Sequence, residues 1–117
     1  MRRDVRAYLW DAQAAVDSIR QFTRGRSVEE YRRDAMLRSA VERQFEILGE
    51  ALNNLRRMAP SVAGRIPELG EIVDFRNLLI HGYATVDHDT VWRTVENDLD
   101  RLYDQPVALL TELGNAP

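Results

Sequence analysis

The chain has 117 residues, a formal net charge of −3 and a pI near 5.4, with 44% hydrophobic and 30% charged residues. That balance excludes a disordered tail, and no apolar run approaches the roughly 18 residues that cross a bilayer. With no cysteine, a disulfide scaffold, a thiolate metal site and a cysteine nucleophile are excluded, and the composition fits a reducing, cytoplasmic setting. The length suits a single domain over 1–117 with one core. Met1-Arg2-Arg3-Asp4-Val5-Arg6 leads into an amphipathic pattern rather than the apolar block of a signal peptide. The acidic balance argues against a non-specific nucleic-acid coat and leaves room for a local basic cleft. All sixteen basic residues are arginine, so every cation is a planar, permanently charged fork suited to carboxylate or phosphate, and lysine Schiff-base chemistry is excluded.

In chain order, Val5, Leu9, Ala12, Val16, Ile19 and Phe22 keep helical spacing with charges between them and predict a first helix. Thr23 to Ser27, with Gly25 inside, reads as a turn. Ser27-Val28-Glu29-Glu30 resembles a capping box that opens the next helix. A long helical pattern then runs to Met58, with Leu37, Val41, Phe45, Leu48, Leu52 and Leu55 on one stripe and Arg43, Glu46, Glu50 and Asn53 off it. Gly49 inside this helix costs about 1 kcal/mol against alanine, which points to close helix packing there. The segment from Pro60 to Pro67 breaks the pattern, and a third helix is expected from near Pro67 to Gly82. Asp87 or Asp89 caps a fourth, carrying Val91, Val95, Leu99 and Leu102, which kinks or restarts at Pro106. No segment alternates with period two. The expected fold class is all-α, an up-and-down bundle of four main helices plus short helical pieces.

The third helix carries the chemistry. Leu69, Ile72, Val73, Leu79 and Ile80 define its apolar stripe, Arg76 and Tyr83 fall within that stripe, and Phe75 and Leu78 lie opposite. A helix apolar nearly all round is buried or sits at a subunit contact. A permanent charge on it needs a partner, and Glu42 or Asp74 would serve. His81 points about 140° from Arg76 in a strict helix, and Gly82 offers a place for the chain to unwind and turn His81 round. A histidine can move protons near neutral pH. An arginine can hold a phosphate and stabilise charge building on it. A tyrosine hydroxyl can orient a phosphate or accept a group. His88 between Asp87 and Asp89 imitates a metal set, with helix capping as the preferred use.

Asp74-Phe75-Arg76-Asn77-Leu78-Leu79-Ile80-His81-Gly82-Tyr83 resembles the R-x4-H-x-Y signature of HepT-type toxins of the HEPN-domain class. Arg33-Asp34-Ala35-Met36, Val41-Glu42-Arg43 and Glu46-Ile47-Leu48-Gly49-Glu50-Ala51 resemble that family's second helix. Val86-Asp87-His88-Asp89 and the stretch from Val91-Trp92 to Asp98-Leu99 resemble its segment after the signature, and Pro106 departs from its pattern. The resemblance implies a HEPN-like homodimer and a metal-independent endoribonuclease toxin that needs no cofactor and acts on RNA, with transfer RNA as a family-level substrate. It implies a minimal nucleotidyltransferase antitoxin as partner. Arg76 and His81 would be catalytic, Arg76 and Tyr83 would hold the substrate phosphate, Asn77 would support Arg76, and Tyr83 would accept AMP from the partner. Arg38 would add positive charge to the cleft, while Arg20, Arg24, Arg26, Arg32 and Arg33 are expected to form a solvated surface paired with Glu29, Glu30 and Asp34. A different class remains open: a non-catalytic subunit that binds a nucleotide or docks the nucleotidyltransferase.

Overall fold

The computed structural model describes residues 3–82 and 86–114. Six helices follow one another: α1 (Val5–Thr23), α2 (Val28–Arg33), α3 (Ala35–Met58), α4 (Pro60–Ala63), α5 (Leu69–His81) and α6 (His88–Glu112). Four are long and two are short, and no strand occurs among the described residues. The fold class is all-α, as the sequence predicts.

Local chemistry accounts for the boundaries. The Asp4 carboxylate accepts from the Arg6 backbone N–H and opens α1. Gly25 adopts φ +72° in the turn after it, a conformation that costs glycine little. Ser27 and Glu30 form a reciprocal capping box at α2. The long helix expected from Ser27 to Met58 is instead two: Asp34 is extended at φ −104°, ψ 98°, and its side chain accepts from the Leu37 N–H to cap α3. A carboxylate that satisfies free N–H groups in a non-helical conformation favours such a break. α5 starts at Leu69, two residues beyond Pro67.

The core lies along one stripe of each long helix. Leu9, Ala12, Val16 and Ile19 of α1 meet Leu37, Val41, Phe45, Leu48, Leu52 and Leu55 of α3, and all are buried. Burying side chains of this size stabilises by about 1.5–3 kcal/mol each before the entropy cost. Phe22, expected on the α1 stripe, is exposed; Thr23 is buried in its place and donates its hydroxyl to the Ile19 carbonyl at 2.8 Å. α6 packs on α1 through Leu99, Leu102 and Leu109. Its helix runs uninterrupted through buried Pro106, so the expected restart does not occur. α5 packs chiefly on α3. No helix among the described residues is long and apolar enough to cross a membrane.

The corner between α2, α3 and α6 is polar inside. Tyr31 is fully buried, its ring 5.3 Å from that of Trp92 and edge-on to His88 at 6.1 Å. Its hydroxyl and the Nδ1 of His88 have no hydrogen-bond partner among the described residues. Burial pushes the nearby Glu42 carboxyl above its ordinary range, against the charges of His88 and Arg38. A carboxyl with a raised folded-state pKa destabilises the fold above that pKa and stops doing so below its unfolded value. Glu42→Gln is therefore expected to raise the melting temperature at pH 7. The gain should vanish as pH falls below the ordinary glutamate range. Thermal unfolding followed by circular dichroism across pH 3–8 checks this, and a gain that persists at pH 3 would contradict it.

Candidate active site

α5 lies tight against α3 at Gly49. A Cβ built there would lie 2.3 Å from the Cβ of Arg76, 2.7 Å from its Cγ and 3.3 Å from the Ile72 carbonyl oxygen. The missing side chain makes room for the Arg76 stem. Phe45 and Phe75 meet edge-on one turn along, with ring centroids 5.2 Å apart. These contacts fix the register of α5 on α3. That register puts Glu50 beside the Arg76 guanidinium.

Arg76 is three-quarters buried and forms an ion pair from Nη2 to the Glu50 carboxylate. Its Nη1 donates to the Asn77 Oδ1 at 2.9 Å. Its Nε is buried without a partner among the described residues. The expected partners Glu42 and Asp74 are not used. Glu42 belongs to the Tyr31 corner, about two turns of α3 away from Glu50, and Asp74 is exposed.

A groove of about 310 Å³ opens beside Arg76, between α1, α3 and α5. Tyr8, Ile47, Ala51 and Ile80 line it, together with three arginines and three carboxylates. The charges alternate: Arg3 pairs with Asp11 at 3.0 Å, Arg43 with Glu46 at 3.3 Å, and Arg76 with Glu50. Arg3 also lies 5.0 Å from the centre of the Tyr8 ring.

His81 is the last residue of α5 and is exposed. Gly82 does not unwind the helix ahead of it. Its φ is −83° and ψ −16°, and its N–H donates to the Leu78 carbonyl at 2.6 Å. His81 thus keeps helical geometry, about 140° around the axis and about 7.5 Å along it from Arg76. One copy of the chain does not bring these two side chains to one face. Tyr83 lies outside the described residues. The α5 stripe divides: Leu69, Ile72 and Val73 are buried, whereas Leu78 and Ile80 are exposed at 43% and 37%. Leu78 lies one turn before His81 on the same side of the helix, whereas Ile80, about 200° round from Leu78, borders the groove.

Other charges have structural partners. Arg38 donates to the carbonyls of Tyr31 and Arg32 and so braces the end of α2; it does not line the groove. Arg26 bridges Glu30 and Asp34, both at 3.6 Å, as expected for the turn. Arg32 reaches instead to α6, where it grips both oxygens of Asp89 at 2.8 and 2.9 Å. Arg20 pairs with Asp100 at 2.6 Å. Asp87 caps α6, accepting from the Asp89 N–H and the Thr90 hydroxyl. Among the described residues, no group of three His, Asp or Glu side chains is arranged to hold a metal ion.

Sequence reasoning missed Glu50, which it set aside as lying off the apolar stripe. The available signal was its neighbour: a mid-helix glycine marks where another helix crosses, so the charge beside it faces whatever crosses.

The chain is an all-α bundle that carries Arg76 and His81 on one helix, α5. The family model "Ribonuclease HepT-like" matches residues 12–109, and the chain belongs to the HepT-like ribonuclease family. It is 35% identical over 106 residues to "Probable ribonuclease HepT" of Thermococcus cleftensis, covering 87% of this chain and 92% of that protein. It is 33% identical over 105 residues to "Putative RNase MJ1380" of Methanocaldococcus jannaschii, covering 86% and 92%. A second protein of that organism, "Putative RNase MJ0125", is 30% identical over 112 residues, covering 96% of each. No solved structure matches the chain significantly.

The close approach at Gly49 is testable. Gly49→Ala gains helix propensity but forces a methyl into the Arg76 stem, and overpacking of this kind costs about 1–3 kcal/mol. Urea unfolding should show a net loss of stability, and a stabilised variant would mean that the two helices are not in close contact there.

Proposed function

We propose that the chain is a metal-independent endoribonuclease that acts as a homodimer and as the toxin of a toxin–antitoxin pair. Membership of the HepT-like family, with Arg76, His81 and Tyr83 in the family's spacing, carries this reading. Arg76 is anchored on α3 with its guanidinium at the edge of a groove, as a phosphate-binding group requires. His81 is exposed at the end of the same helix, where a second copy can reach it. Exposed Leu78, one turn before His81, gives that copy an apolar contact. The separation of Arg76 and His81 in one copy supports a site shared by two.

In the proposed reaction the ribose 2′-oxygen attacks the adjacent phosphorus and the bond to the 5′-oxygen breaks. The products are a 2′,3′-cyclic phosphate and a 5′-hydroxyl. His81 moves the proton, taking it from the 2′-hydroxyl or giving it to the leaving oxygen. Arg76 stabilises the added negative charge of the pentavalent phosphorane, Tyr83 holds the phosphate, and Asn77 holds Arg76. A minimal nucleotidyltransferase would silence the toxin by moving AMP onto Tyr83, which adds bulk and negative charge beside the site. The balanced charges around the groove favour a second reading, in which the chain binds a nucleotide or docks the nucleotidyltransferase without cleaving RNA.

The deciding test uses protein made without any nucleotidyltransferase, with intact mass showing unmodified Tyr83. Wild type should cut total RNA in excess EDTA and leave cyclic-phosphate ends. His81→Ala should lose about 10²-fold or more of the rate, the usual worth of a positioned proton-transfer group. RNA left intact by the wild type would favour the second reading.

A further inference from the structure

The arrangement around Arg76 is held but incomplete. A carboxylate that braces an arginine permanently tends to meet it as a fork, two oxygens on two nitrogens. Asp89 does this to Arg32. Glu50 does not: one of its oxygens meets Nη2, Asn77 takes Nη1, and Nε is buried with no acceptor among the described residues. A buried N–H without an acceptor is a cost the arrangement carries. The two partners also differ in mobility. The Arg76 side chain is 23% exposed and pinned at Gly49, whereas Glu50 is 51% exposed. The carboxylate can leave for water; the guanidinium stays.

We propose that Glu50 is a latch on the anion-binding arginine: in the free chain its carboxylate occupies the place on Arg76 that a phosphodiester takes, and an incoming phosphate displaces it. This rests on the reading of Arg76 as the phosphate-holding residue. Carboxylate and phosphate present similar oxygens to the guanidinium and compete for the same N–H groups. The other rim carboxylates, Asp11 and Glu46, are held by Arg3 and Arg43, so Glu50 is the one whose departure uncovers Arg76. Until it leaves, the rim is charge-balanced and offers a phosphate little net attraction. Once it leaves, three arginines face the groove against two carboxylates. A half-exposed ion pair is weak, so the latch opens to an anion that offers two oxygens at once.

The test titrates inorganic phosphate at fixed ionic strength into wild type, Glu50→Gln and Arg76→Ala, following the backbone amide signals of residues 49–51 and 75–78 by NMR. Glutamine keeps the shape and a carbonyl for Nη2 but removes the competing charge. Glu50→Gln should bind phosphate about two- to five-fold more tightly than wild type, the fold-change that corresponds to an exposed ion pair. Arg76→Ala should bind none. Equal or weaker binding by Glu50→Gln would make Glu50 a brace rather than a latch and overturn the proposal. Absence of phosphate binding in wild type and Glu50→Gln alike would also overturn it. RNA cleavage by the same proteins is scored separately: tighter phosphate binding with no cleavage leaves the latch standing and removes the ribonuclease reading. Melting curves of the three proteins confirm that each is folded.

Discussion

The contact of α5 with α3 at Gly49 is the constraint on which the rest of the site depends. Two helices that carry ordinary side chains at a crossing sit 8–10 Å apart. With no Cβ on one of them, the Arg76 stem lies against the backbone of the other. That buries most of a charged side chain where two helices pack, and the burial demands a partner. The register of the two helices supplies Glu50 from α3 and the chain supplies Asn77 from the next position. One missing methyl thus sets the position of the guanidinium, its partners and the groove beside it.

The ion pairs fall into those that tie helices together and those that ring the groove. Arg32 on Asp89 ties α2 to the start of α6 with both oxygens engaged, and Arg101 reaches Glu68 at 2.8 Å to tie α6 to the start of α5. These pairs join elements that the apolar core joins less extensively. Around the groove the charges alternate and balance one another. Because the groove's arginines are each paired with a carboxylate, a cationic site for RNA needs either a pair to open or a second copy to add charge, and the proposed latch and dimer are these two routes.

The single chain leaves α5 half-used. Its first turns are core, and in its last turns Leu78 is exposed beside His81 while Ile80 borders the groove. A helix that changes from buried to exposed along its length, while staying apolar, presents a surface for a partner of similar character. In the proposed dimer that surface also brings a histidine from one copy toward an arginine of the other.

The sequence by itself determined the helices, their caps and their buried stripes, because these depend on local chemistry: the Ser27–Glu30 box, the Asp87 cap, and the repeating apolar spacing of Leu37 to Leu55. It also marked Gly49 as a crossing point and Arg76, His81 and Tyr83 as the chemically distinctive set. It missed the break at Asp34, where a side-chain cap outcompetes a continuous helical pattern, and the exposure of Phe22, where Thr23 satisfies its hydroxyl on the preceding turn and takes the buried place. Only the tertiary structure decided that Glu50, rather than Glu42 or Asp74, holds Arg76, because a partner across two helices follows from their register. It decided that Gly82 continues the helix and leaves His81 turned away from Arg76, because glycine permits a left-handed turn without requiring one. Local preference sets what each segment becomes; which charge meets which depends on how segments distant in the chain pack.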